Sequence, residues 1–100
     1  MKADFQKLIS GKKPVLVDFH ATWCGPCKTL APTIKALAKD VGHKIRIVKI
    51  DIDKNKTVAH KYKIRSVPTL AIFYQGRILW QESGVKTKAQ LVKIVNTHVK

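Results

Sequence analysis

The run Val15-Leu16-Val17-Asp18-Phe19 most limits what this chain can fold into. Four of its five residues are apolar and they scarcely alternate with polar ones. Such a run suits a central strand buried on both faces, which needs a packed layer on each side. Helical spacing supplies those layers. Residues 3–10 read as a short helix with Phe5, Leu8 and Ile9 on one side and Gly11 as its stop. Residues 27–41 place Cys27, Leu30, Ile34, Leu37, Ala38 and Val41 on one face, with Pro32 predicting a kink and Gly42 the end. Residues 55–62 suggest another short helix. Thr87 opens the last one, its Thr-x-x-Gln pattern with Gln90 being a capping box, and Leu91, Ile94, Val95 and Val99 form its buried face.

Two further strand regions complete the order. Residues 45–51 make one strand. Leu70–Tyr74, the turn Gln75-Gly76 and Arg77–Ser83 make a hairpin. The sequence of elements is α-β-α-β-α-β-β-α. Strand, helix, strand implies a right-handed parallel crossover, and the hairpin adds an antiparallel strand. The expected fold class is α/β: a three-layer α/β/α sandwich around a mixed central sheet.

One hundred residues make one domain, 1–100, and an apolar fraction of 45% is ordinary for a globular chain. The mixed charge of Met1 to Lys7 does not suit a signal peptide, and no apolar run approaches the ~20 residues of a membrane span. A soluble cytoplasmic protein with no membrane partner is expected. The net charge of +14 is unusual. It fits either an acidic partner or a solvated Lys-rich surface. Of the 20 basic residues 17 are Lys, mostly singly spaced along the whole chain. Nucleic-acid sites tend instead to cluster charge and to use Arg or interleaved aromatics, so that partner class is disfavoured.

Cys24 and Cys27 are the two cysteines. A bridge between them closes almost no loop and would stabilise little, so redox chemistry or metal binding is the better explanation. Cys24 lies between a predicted strand and a predicted helix. Free N–H groups and partial positive charge at a helix N-terminus favour a thiolate and lower its pKa. Pro26 suits the first helical turn because its missing N–H is not needed there. Cys27, three residues on, is within bridging reach. Cys24 would attack a disulfide in another protein, and Cys27 would then resolve the mixed disulfide.

Val17-Asp18-Phe19, the segment from Ala21 to Lys28 with its Trp-Cys-Gly-Pro-Cys-Lys motif, Pro32, Lys49 with Asp51 and Asp53, Val67-Pro68-Thr69, Gly76 and Gly84 together resemble the thioredoxin family from Pro14 onward. The resemblance implies the thioredoxin fold and general reduction of protein disulfides. It implies that Pro68 is a cis-proline beside the cysteines and that the backbone of Val67 pairs with bound substrate. Trp23, Gly25, Pro26, Ile52, Val67, Gly84 and Val85 would form the substrate surface. Partners would be disulfide-containing proteins and a separate NADPH-dependent flavin reductase. No bound cofactor is expected beyond the Cys24–Cys27 couple. Gly25-Pro26 favours a reductant, since oxidases and isomerases of this fold commonly carry His there.

The resemblance also gives Asp18 and Lys49 a place as catalytic partners. A carboxylate in a central strand is costly to bury as an anion, so its pKa should rise, as a general base for Cys27 requires. A strand-end Asp18 facing water is the other reading. Two departures from the family stand out. His20 replaces a usual tryptophan, as a tolerated loop substitution or as a titratable group tuning the Cys24 thiolate. The N-terminus is short, so four strands are expected in place of five, with four helices and residues 45–51 at a sheet edge, where Lys44, Arg46 and Lys49 would discourage pairing. Metal is not expected: His20, Cys24 and Cys27 are three ligands where a closed zinc site needs four. A monomer is expected. A disulfide isomerase or oxidase, and a module binding an acidic partner through the basic surface, are the alternative functions.

Overall fold

The apolar run becomes the central strand that its lack of alternation demands. In the computed structural model, which describes residues 4–99, strand β1 (Val15–His20) is buried at every position except the half-buried His20. Parallel strand β2 (Arg46–Asp51) pairs with one side of it and antiparallel strand β3 (Thr69–Tyr74) with the other. Strand β4 (Arg77–Ser83) returns along β3, and the sheet order is β2-β1-β3-β4. Helices α1 (Asp4–Ile9), α2 (Gly25–Val41), α3 (Lys56–Lys61) and α4 (Lys88–His98) complete the four-strand, four-helix α/β arrangement of the described residues. The predicted start of the first helix at Ala3 lies outside the described residues.

Alternation in β1 divides the core. Leu16 joins Leu30, Ile34 and Leu37 of α2 and Leu91 and Val95 of α4 on one face of the sheet. Val15, Val17 and Phe19 join Phe5 and Ile9 of α1 and Val58 of α3 on the other. Asp18, two residues after Leu16, therefore points to the face that α2 and α4 cover. Each large apolar side chain removed from water here contributes about 1.5–3 kcal/mol.

Several local expectations are refined. Helix α2 is a single element through Pro32. Ala38 is exposed, because it lies at the rim of the α2 stripe. Gly42 ends α2 in a right-handed conformation, φ −61°; a Cβ there would crowd the Ala38 carbonyl, whose oxygen the Gly42 N–H already uses. Gln75 and Gly76 both have positive φ, 51° and 82°, the geometry that fits a two-residue hairpin to the sheet twist. Tyr74 faces Arg77 and Phe73 faces Ile78, but Ile72 faces Trp80. Leu79 is thus an extra residue, a bulge that no alternation in the sequence announced. Thr87 and Gln90 form the predicted capping box, with bonds of 3.1 and 2.8 Å. β2 is an edge strand as expected, with Arg46 and Lys49 exposed on it.

Candidate active site

β1 ends at His20, the C-terminal end of this central strand, and Ala21 to Trp23 turn the chain into α2. Cys24 is the N-cap of that helix, in extended conformation, and Pro26 occupies its first turn. The Cys24 Sγ accepts the Cys27 N–H at 3.0 Å, the position a Ser or Asp oxygen takes in an ordinary cap. Cys24 and Cys27 form a disulfide, with Cα atoms 5.3 Å apart. On reduction, the same N–H and the helix dipole favour negative charge on Cys24. Exposure does not rank the two cysteines, the residues being 3% and 7% exposed for Cys24 and Cys27; position on the helix does.

The cysteines pack with Ala21, Ile52 and Val67. The Val67–Pro68 peptide is cis, and the Pro68 carbonyl accepts the Gly84 N–H at 2.9 Å, which ties the loop before β3 to the end of β4. Gly84 has φ 100°, where a side chain would be strained. Trp23 is 67% exposed, its indole N–H donating to Asp53 Oδ2 at 2.8 Å. Asp53 is itself placed by its N–H bond to Asp51 Oδ1. Gly25, Pro26 and Val85 are exposed as well, so all the sequence-derived surface residues except the buried Pro68 offer accessible area around the disulfide.

Behind the disulfide, His20, Thr22, Cys27, Lys28, Ala31 and Lys49 line a cavity of about 140 Å³. Asp18 is 2% exposed, which removes the water-facing reading, and its Oδ1 has no hydrogen-bond partner among the described residues. Burial pushes its carboxyl above the ordinary 3.8, and the charges of His20 and then Lys49 partly oppose the rise. Lys49 is the register partner of Asp18 on β2, yet the two form no ion pair; among the described residues the ion pairs are Lys86–Glu82 and Lys88–Asp40. The structure thus gathers His20, Cys27 and Lys49 around one cavity and keeps Lys49 as a long-range charge for Asp18. Sequence reasoning missed Lys28 and Ala31 as cavity walls, although Ala31 is one helical turn beyond Cys27 and so shares its face. It also missed Asp53 as the support of Trp23. Among the described residues no group of three or more His, Cys, Asp or Glu is placed to hold a metal ion, and no helix is long and apolar enough to cross a membrane.

A redox-active pair capping a helix beside a cis-proline, on this sheet, defines the class: a thiol–disulfide oxidoreductase that reduces protein disulfides. The family model described as Thioredoxin matches residues 1–97. A thioredoxin-like protein of Synechocystis is 43% identical over 98 residues, covering 97% of this chain and 93% of the relative. The thioredoxin of Bacillus subtilis is 45% identical over 85 residues, covering 85% and 82%. That of Haemophilus influenzae is 37% identical over 98 residues, covering 97% and 92%. The chain belongs to the thioredoxin family.

Proposed function

We propose that residues 1–100 act as one domain that carries electrons to protein disulfides, with Cys24 as nucleophile, Cys27 as resolving thiol and Asp18 as proton acceptor. The Cys24 thiolate attacks one sulfur of a substrate disulfide. That S–S bond breaks, a mixed disulfide forms, and the departing substrate thiolate takes a proton from water. Cys27 then gives its proton to Asp18 and attacks Cys24 Sγ. The mixed disulfide breaks, the second substrate sulfur leaves as a thiolate and takes a proton from water, and two electrons have moved to the substrate while Cys24–Cys27 has become a disulfide. The charges of His20 and then Lys49 limit the rise that burial imposes on the Asp18 carboxyl.

Trp23, Gly25, Pro26, Ile52, Val67, Pro68, Gly84 and Val85 form the docking surface, the backbone of Val67 pairing with the extended substrate. A separate NADPH-dependent flavin reductase returns the electrons, and the setting is the reducing cytoplasm, where such a couple works as a donor. The observation that carries this reading is the Cys24 N-cap: it puts the attacking sulfur where a helix favours its anion. The test is insulin reduction with single substitutions. Cys24→Ser abolishes turnover. Cys27→Ser stalls as a covalent mixed disulfide at Cys24, detectable by mass; a Cys27→Ser protein that releases free product at the normal rate would overturn the assignment.

A further inference from the structure

The outer edge of β2 and the adjoining flank of α2 form a feature that shares only Lys49 with the proposed redox chemistry. An open groove of about 660 Å³ runs between them, continuous through Lys28, Ala31 and Lys49 with the small cavity behind Cys27. Its floor is Ile34, Ala38 and Ile47, and Lys28, Lys35 and Lys49 stand around it. None of these lysines is ion-paired among the described residues.

The strand beside the groove has free backbone on that side. The Arg46 N–H donates to the Pro14 carbonyl and the Ile52 N–H to the His20 carbonyl, so even-numbered residues of β2 turn their peptide groups toward β1. Alternation then turns the N–H and C=O of Ile47 and Lys49 outward, and among the described residues no further strand lies beyond β2 in the sheet. The same alternation puts the Ile47 and Lys49 side chains in the groove.

We propose that this groove takes an extended acidic segment of a partner protein, which adds as a strand to β2. Side chains of such a strand point into the groove at every second residue, spaced by about 6.5–7 Å. A central apolar residue would meet Ile34, Ala38 and Ile47. Acidic residues two positions either side of it would stand about 13 Å apart. Lys28 and Lys35 are seven residues apart on α2, about 10.5 Å along its axis, and Lys49 lies across the groove. The spacing matches within the reach of a lysine side chain. The pattern recognised is acidic-x-apolar-x-acidic, and the mode is strand addition, with main-chain bonds giving affinity and alternate side chains selectivity. The net charge of +14 steers acidic partners toward the surface and disfavours a second copy of this chain as the occupant. Among the described residues no aromatic side chain lines the groove, so they give it no stacking platform of the kind a single-stranded nucleic-acid site uses.

The test uses a fluorescent, cysteine-free peptide, Thr-Glu-Thr-Val-Thr-Glu-Thr, with blocked ends, titrated with the full chain at low salt. Saturable binding is expected, with amide shifts at Ile47 and Lys49 in a nitrogen-15 spectrum. Lys35→Glu and Ala38→Glu are each expected to weaken it at least about fivefold while insulin reduction is unchanged. Because both positions are exposed helix residues, folding is retained, and the insulin assay verifies it. No binding, equal binding of a peptide with the same composition in scrambled order, unchanged affinity in both variants, or shifts confined to the Trp23 face would each overturn the proposal. So would displacement by an oligothymidylate of equal charge as effectively as by unlabelled peptide. The outcome does not depend on Cys24 or Cys27, and a Cys24→Ser protein should bind the peptide normally.

Discussion

Replacing Asp18 by Asn should make the protein more stable above the carboxyl's folded pKa, and the gain should have a defined pH profile. Asp18 is buried with Oδ1 unpartnered, and burial raises its pKa above 3.8. Between 3.8 and the raised value the folded chain holds a proton that the unfolded chain has lost. Stability from this residue is therefore fully present below 3.8 and falls as pH rises, by up to 2.303RT or about 1.4 kcal/mol per pH unit, until the folded carboxyl ionises. Above that point the loss is constant. Asn has the same shape and no charge, so its stability lacks this slope. The amide must still find partners for its own polar atoms, a contribution on the order of 1–3 kcal/mol that does not vary with pH. The difference between the two proteins thus has a flat offset and a rising segment, and the segment is the diagnostic part. Urea unfolding of both oxidised proteins from pH 3.5 to 9 measures it, other titrating groups cancelling in the difference. A difference that is the same at every pH, or one that shrinks as pH rises, would refute the account of Asp18 as a carboxylate ionising at the expense of the fold. Lys49→Gln should extend the rising segment to higher pH, since Lys49 opposes the effect of burial on the folded carboxyl.

The other outcomes test the site and the frame around it. Asp18→Asn should slow insulin reduction by about 100-fold near neutrality, the lower end of a general-base contribution, with the wild-type rate rising through the Asp18 pKa; an unchanged rate across pH 6–9 removes Asp18 from the mechanism. Trp23→Ala should raise KM for a protein disulfide several-fold and leave unfolding by urea within about 0.5 kcal/mol, because the ring is mostly exposed. Leu30→Ala, at a fully buried position under α2, should destabilise by about 2–5 kcal/mol in the same measurement. Thr87→Ala should lose about 1 kcal/mol through the missing cap on α4.

How much of this was legible in the sequence depended on whether the information was local. The buried central strand, the α4 capping box and the Gln75-Gly76 turn were readable because a few adjacent residues determine each. The bulge at Leu79 was not, since it depends on which β3 residue each β4 residue finds. Gly42 was readable as the end of α2, but only the approach of the Ala38 carbonyl shows that room, not handedness, is required there.

The same distinction runs through the site. Cys24 and Cys27 were legible because a helix N-terminus fixes both. Asp18 could be read two ways until α2 and α4 were seen to cover its face of the sheet. His20 is the instructive case. Its proximity in sequence to Cys24 suggested action on that thiolate. In the fold it shares a cavity with Cys27 and is the larger of the two positive influences on Asp18. Alternation along β1 explains why, because residues 18 and 20 share a face. A tuning effect of His20 should therefore reach the resolving step through Asp18. In His20→Trp the Asp18 carboxyl should ionise at higher pH, and the pH profile of resolution should move with it. If the reduction potential and the Cys24 pKa change while that profile stays in place, His20 acts on the nucleophile directly and the route through Asp18 is wrong.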